Sequence, residues 1–135
     1  MKSVLYGVTA DVSLVFYRGH ASALKAAGLD AVFLSGAGAF RRQFADSERV
    51  TVFEVPMRRE PSIVVDFCSL VGVLRVIAQV RPVLTNFGTP KAGLLGNIAA
   101  LFCRVPHRVY TLHGLRLETA TGWRRRILTI CERIA

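Results

Sequence analysis

Carboxylates are scarce in this chain: nine Asp and Glu stand against eighteen Lys and Arg, a formal net charge of +9. Such an imbalance favours anionic partners: nucleic acid, an acidic membrane surface or a phosphorylated ligand. The bases are mostly arginine, whose planar donor fork suits phosphate. Cysteine is also sparse, with Cys68, Cys103 and Cys131 and no CxxC or Cys/His cluster, so no metal site is supported. An odd count without pairing spacing fits a reducing, cytoplasmic compartment. Each cysteine falls in an apolar helical pattern and is expected to be a small buried core residue. The N-terminal run is not expected to be a secretory leader, because the stretch after Lys2 is short and broken by Asp11. The longest apolar stretch, 63–83, holds Asp66, Arg75 and Arg81, too many charges for a transmembrane span. No aromatic platform interleaves with the bases, which disfavours single-stranded nucleic acid, and no recognition-helix or zinc pattern points to duplex DNA. Repeats and low-complexity tracts are absent.

What is there is an ordinary folding composition. With 135 residues, 52% of them hydrophobic, the chain suits one domain that buries roughly two-thirds of its unfolded surface. Residues 3–8, 30–34, 50–55, 83–87 and 107–113 read as strands. Between them, Ser13 reads as the N-cap of a helix that stops at Gly28. Ile63, Phe67, Leu70, Val71, Leu74 and Ile77 keep helical period over 63–80. Thr89 and Pro90 read as N-cap and first residue of a helix running to about Cys103, and Trp123, Ile127, Ile130, Cys131 and Ile134 mark a last one. The stretch SGAGAFRRQFADSE reads as a loop with one helical turn at most. Alternating strands and helices predict an α/β Rossmann-like three-layer sandwich with a mostly parallel sheet. The last helix reaches Ala135 without a stop signal, so a truncated domain is expected.

Ligands of open parallel sheets bind beyond the carboxyl ends of the strands. Four loops qualify: 9–13, 35–42, 88–91 and 113–121. At 88–91 a helix start offers free N–H groups and a positive dipole end. Lys91 in its first turn opposes that dipole, which suggests either a phosphate held by Lys91 and the helix start or a lysine bent into solvent. Gly93 and Gly96 cost helix stability and point to close approach, of the sheet or of a ligand. His113, at a strand end beside Gly114, is able to exchange a hydrogen bond with a sugar hydroxyl or a phosphate; a structural role is the alternative. Glu118 either accepts from hydroxyls or pairs with Arg116 or Arg124. Asp11 and Ser13 serve as caps, and Arg18 faces either cleft or solvent. GAGAF at 36–40 is no dinucleotide fingerprint: it follows the second strand, and Arg41 takes the place of the third glycine. Arg124, Arg125 and Arg126 form a solvated face or meet anionic lipid headgroups.

Several of these segments carry a resemblance. TPKAGLLG at 89–96, the strand ending in His113 before Gly114 and Leu115, and LETATG with the basic helix after it resemble bacterial glycosyltransferases of family 4. The resemblance is strongest to those that build capsule, exopolysaccharide or O-antigen units. SLVFYRG at 13–19, VPM at 55–57 and the helix leading into Arg81-Pro82 fit as well. Val83 departs from the pattern, since relatives usually carry Asp there. The resemblance implies the N-terminal, acceptor-side half of a GT-B fold over residues 1–135, with the C-terminal donor domain absent. It implies sugar transfer from a nucleotide sugar to a lipid-linked acceptor, without a metal or other cofactor, and with the nucleotide sugar held mainly by the other domain. Thr89 and Lys91 would line the acceptor or diphosphate side, His113 would sit beside the transferring sugar, and Arg18 and Glu118 would contribute. The expected setting is cytoplasmic, peripheral at the inner face of the cell membrane, with no nucleic-acid partner. Two other readings stay open: a basic Rossmann-like module that binds anionic membrane or a phosphorylated ligand without chemistry, and a sugar epimerase or other nucleotide-binding enzyme of the same fold.

Overall fold

In the computed structural model, which describes residues 1–113 and 121–134, five parallel strands make one sheet in the order β3-β2-β1-β4-β5. The strands are β1 (Lys2–Gly7), β2 (Leu29–Ser35), β3 (Thr51–Glu54), β4 (Leu84–Phe87) and β5 (His107–Tyr110). The helices are α1 (His20–Ala26), α2 (Ala39–Glu48), α3 (Ile63–Val80), α4 (Pro90–Phe102) and α5 (Gly122–Ile134), with a 3-10 segment at Asp11–Tyr17. Register is continuous across the centre: Tyr6 pairs with Phe33 on one side and with Asn86 on the other. The predicted three-layer sandwich is the observed one.

Period-two alternation assigns the faces. Val4, Tyr6 and Val8, with Ala31 and Phe33, join Leu14, Tyr17, Ala21 and Phe44 under the 3-10 segment, α1 and α2. Leu5, Val32, Leu34 and Phe87 join Val73, Ile77, Ala92 and Ala99 under α3 and α4. Fully burying a side chain such as Phe33 or Phe44 stabilises by about 1.5–3 kcal/mol. Gly96 lets α4 close on the sheet, because a Cβ there would meet the Phe87 ring, and Gly93 stands likewise against Tyr110. Of the two readings of these glycines, helix–sheet approach is therefore the observed one.

Four expectations need correcting. The first helix does not run unbroken from Ser13. A 3-10 segment occupies 11–17, Gly19 takes a left-handed φ of 80°, and α1 starts only at His20. Residues 39–48 are a three-turn helix. Its signal was faint because only Phe40 and Phe44 mark its inner face, and its N-terminus is capped from a distance: the Asp11 carboxylate accepts from the Arg41 N–H at 3.2 Å. Two of the three cysteines are not core residues: Cys68 is exposed and Cys103 is half-buried, while the side chain of Cys131 lies outside the described residues. Finally, α3 is long and apolar enough to cross a membrane by length and composition. Arg81 lies outside it, at its C-cap. The helix nonetheless buries Ser69, Val73, Val76 and Ile77, as a core helix does, and leaves Ile63, Val64 and Phe67 exposed at its start.

Candidate functional site

Between β1 and β4 the chain order reverses. From β1 the chain winds outward through β2 and β3, then returns to β4 on the other side of β1. Loops at such a switch point diverge and leave a crevice at the carboxyl end of the sheet. Here it is a cavity of about 420 Å³. The segment after β1 brings Thr9, Ala10, Ser13 and Phe16; the segment after β4 brings Gly88, Thr89 and Lys91; the segment after β5 brings His113. The segment after β2, also a candidate, contributes nothing to the lining and instead starts α2.

Two threonines lock the floor. The Thr9 N–H donates to Thr89 Oγ1 at 2.9 Å, and the two hydroxyls lie 2.7 Å apart. The Ala92 N–H, in the first turn of α4, donates to Thr9 Oγ1 at 3.3 Å. Each oxygen thus accepts from a backbone amide, and only one proton fits between the two hydroxyls. The other hydroxyl proton is not used within this pair. Thr89 is the N-cap residue as expected, although its own side chain makes no capping bond; the cap comes across the crevice from Thr9.

His113 lies three residues beyond the end of β5, not on the strand, whose pairing continues as far as the Thr111 N–H bonded to the Phe87 carbonyl. Its ring stacks on Phe16 with centroids 4.4 Å apart, and Nε2 stands 3.4 Å from the Tyr17 hydroxyl. Partial burial, and then the neighbouring His20, pull its pKa below the ordinary 6.5, so the ring is neutral at neutral pH. Burial, and then Tyr6, push the Tyr17 phenol far up, so it stays protonated. A protonated phenol and a neutral imidazole share this contact in a direction set by the ring tautomer, and in either tautomer one ring nitrogen is a donor and the other an acceptor. Gly88 makes this arrangement possible: a Cβ there would collide with both the Tyr17 hydroxyl and the His113 ring.

Lys91 reaches the cavity wall, but its ammonium is committed. Nζ donates to Asp66 Oδ1 at 2.8 Å and to the Glu60 carbonyl, with the lysine side chain only 14% exposed. The cation that opposed the α4 dipole is thus answered from α3, and the solvent-bent alternative does not occur. Asp66 also accepts from the Ser62 N–H at 3.2 Å and so fixes the start of α3. Arg18 is not brought to the cavity; its guanidinium carbon stands 5.7 Å from the Phe40 ring centroid, over α2. Glu118 lies outside the described residues, and so does the pairing expected for it with Arg116. Thr9, Phe16, Arg59 and Asp66 were not anticipated. For Arg59 the signal was available: the segment after β3 obeys the same strand-end rule as the others.

A glycosyl transferase 4-like domain matches residues 15–135. The chain belongs to that family. It is 35% identical over 134 residues to the capsular polysaccharide biosynthesis glycosyltransferase CapM of Staphylococcus aureus, covering 99% of this chain and 34% of CapM. The chain therefore spans about a third of that relative's length. Its fold is similar to that of S. aureus MnaA in complex with UDP (TM-score 0.71, 14% identity, 99% of this chain and 36% of MnaA). It is likewise similar to Acinetobacter baumannii MurG (TM-score 0.68, 13% identity, 100% of this chain and 39% of MurG). Likenesses at such identities speak for the fold: this family member has the Rossmann-like architecture of one part of those larger chains.

Proposed function

We propose that this chain is the acceptor-side part of a glycosyltransferase of surface polysaccharide synthesis, moving a sugar from a nucleotide sugar to a lipid-linked acceptor. One observation carries the reading. A threonine hydroxyl, a neutral histidine and a glycine backbone converge on a cavity at the switch point of the sheet, a set that suits hydroxyl and phosphoryl oxygens. Thr89 and Gly88 take the acceptor, Lys91 frames the wall beside them, and His113 exchanges a hydrogen bond with the sugar being transferred. Arg18, stacked over α2, and Glu118 are left without a role in this reading. No cofactor is invoked. The nucleotide sugar is bound mainly by a second domain of the family's kind, and chemistry requires both parts, because transfer depends on positioning between them.

A lipid-linked acceptor implies work at the cytoplasmic face of the cell membrane. The exposed Ile63, Val64 and Phe67 and the net charge of +9 support a peripheral position on anionic lipid. The sequence likeness to CapM favours transfer over the epimerase and the non-catalytic readings.

The test is a chimera in which the matching third of CapM is replaced by this chain. Transfer of labelled sugar to a prenyl-diphosphate-linked acceptor is expected, with His113→Ala lowering turnover about a hundredfold or more. Unchanged turnover in that variant would refute the site assignment.

A further inference from the structure

The segment after β3 is a strap across one side of the cavity. Its near end is anchored by the buried Val55 and Met57 and by a bond from the Ser69 hydroxyl to the Pro56 carbonyl. Its far end is anchored where Lys91 Nζ holds the Glu60 carbonyl and where Asp66 holds the Ser62 N–H. Between these anchors, Arg59 and Pro61 line the cavity. The charged or titratable lining residues are Arg59, Asp66, Lys91 and His113. Lys91 and Asp66 neutralise each other, and His113 is held neutral. Among the described residues, Arg59 is thus the cavity's one cation not committed to a carboxylate.

We propose that Arg59, not Lys91, receives the phosphoryl group of the acceptor, and that Lys91 is a positioning residue that pins the strap presenting it. This deepens the acceptor-side reading given above and rests on it. Arginine fits the task because its fork of N–H donors matches two phosphoryl oxygens at once. A strap tied at both ends keeps the side chain's base fixed, which lowers the ordering cost of binding. Phe16, Pro61 and Leu94, in the lining of the same cavity, offer apolar surface for the lipid portion that follows the phosphate.

The experiment measures binding of geranylgeranyl diphosphate, geranylgeraniol and UDP-N-acetylglucosamine to the chain by calorimetry or fluorescence. The unaltered chain should bind the diphosphate more tightly than the alcohol. Arg59→Met should weaken the diphosphate tenfold or more while leaving the alcohol within twofold, and Arg59→Lys should recover part of the loss. Arg58→Met, next to it but outside the cavity lining, should change neither. Lys91→Met should weaken the diphosphate and yet keep a preference for it over the alcohol, since Arg59 is still present. If the unaltered chain binds the diphosphate and Arg59→Met binds it equally well, the Arg59 proposal is overturned and the acceptor-side reading stands. Loss confined to the UDP-sugar also overturns the proposal, because the arginine would then serve the donor. No binding of either prenyl probe by the unaltered chain overturns both.

Discussion

His113 shows how a side chain's neighbours set its chemistry. Partial burial first, and then the proximity of His20, disfavour the imidazolium, so the folded chain holds the neutral ring more tightly than the unfolded one does. The sign follows: the folded pKa lies below 6.5, so this contribution to stability is complete above pH 6.5 and is lost as pH falls through the folded value. An NMR titration of the His113 ring should therefore give a midpoint below 6.5, and Tyr17→Phe should leave the ring stacked on Phe16. A midpoint at or above 6.5 would contradict the neutral-donor role. Lys91 teaches the complementary point. Its place at a helix start, against the dipole, was plain in the sequence and suggested a ligand. The partner that answers it, Asp66, is 25 residues away on another helix. Periodicity makes a cation's position legible and leaves its long-range partner illegible.

At the scale of elements, the strands and α3 and α4 were legible because their own residues carry the signal. The apolar period of 63–80 gives α3 its observed bounds, and Thr89-Pro90 marks the start of α4. By contrast, α2 was hidden. Its mean composition is polar, and its cap is Asp11, which packs beside it in the fold but stands three elements earlier in chain order and 30 residues back in sequence. Asp11 lies 9% exposed against Gly38, where a Cβ would strike the carboxylate. Replacing Asp11 by Ala removes the acceptor for the Arg41 amide and should cost about 1 kcal/mol in denaturant unfolding. Faster hydrogen exchange should follow in the first turn of α2, while α3 is unaffected. Loss of protection spread evenly over all helices would show that Asp11 does something other than cap.

On the scale of the whole molecule, one topological fact organises the site. Because β1 and β4 are neighbours while their following helices leave on opposite faces, the loops after them part and leave room for a ligand. Strand–helix alternation was legible in the sequence and put the loops at 9–13, 88–91 and 113–121 beyond the carboxyl ends of the strands; the strand order, which brings Thr9, Thr89 and His113 together, was not read from it. Nor was the strap, whose position depends on bonds from Ser69, Asp66 and Lys91. A second, more open hollow on α5 is bordered by Arg125, Arg126 and Arg133, whose charge makes it the natural rival site for an anion. The most direct measurement is amide chemical-shift mapping of the chain titrated with a prenyl-diphosphate-linked sugar. The largest shifts are expected at the amides of residues 9–16, 59–60, 88–95 and 113. Shifts centred on Arg125, Arg126 and Arg133, with 88–95 unmoved, would contradict it.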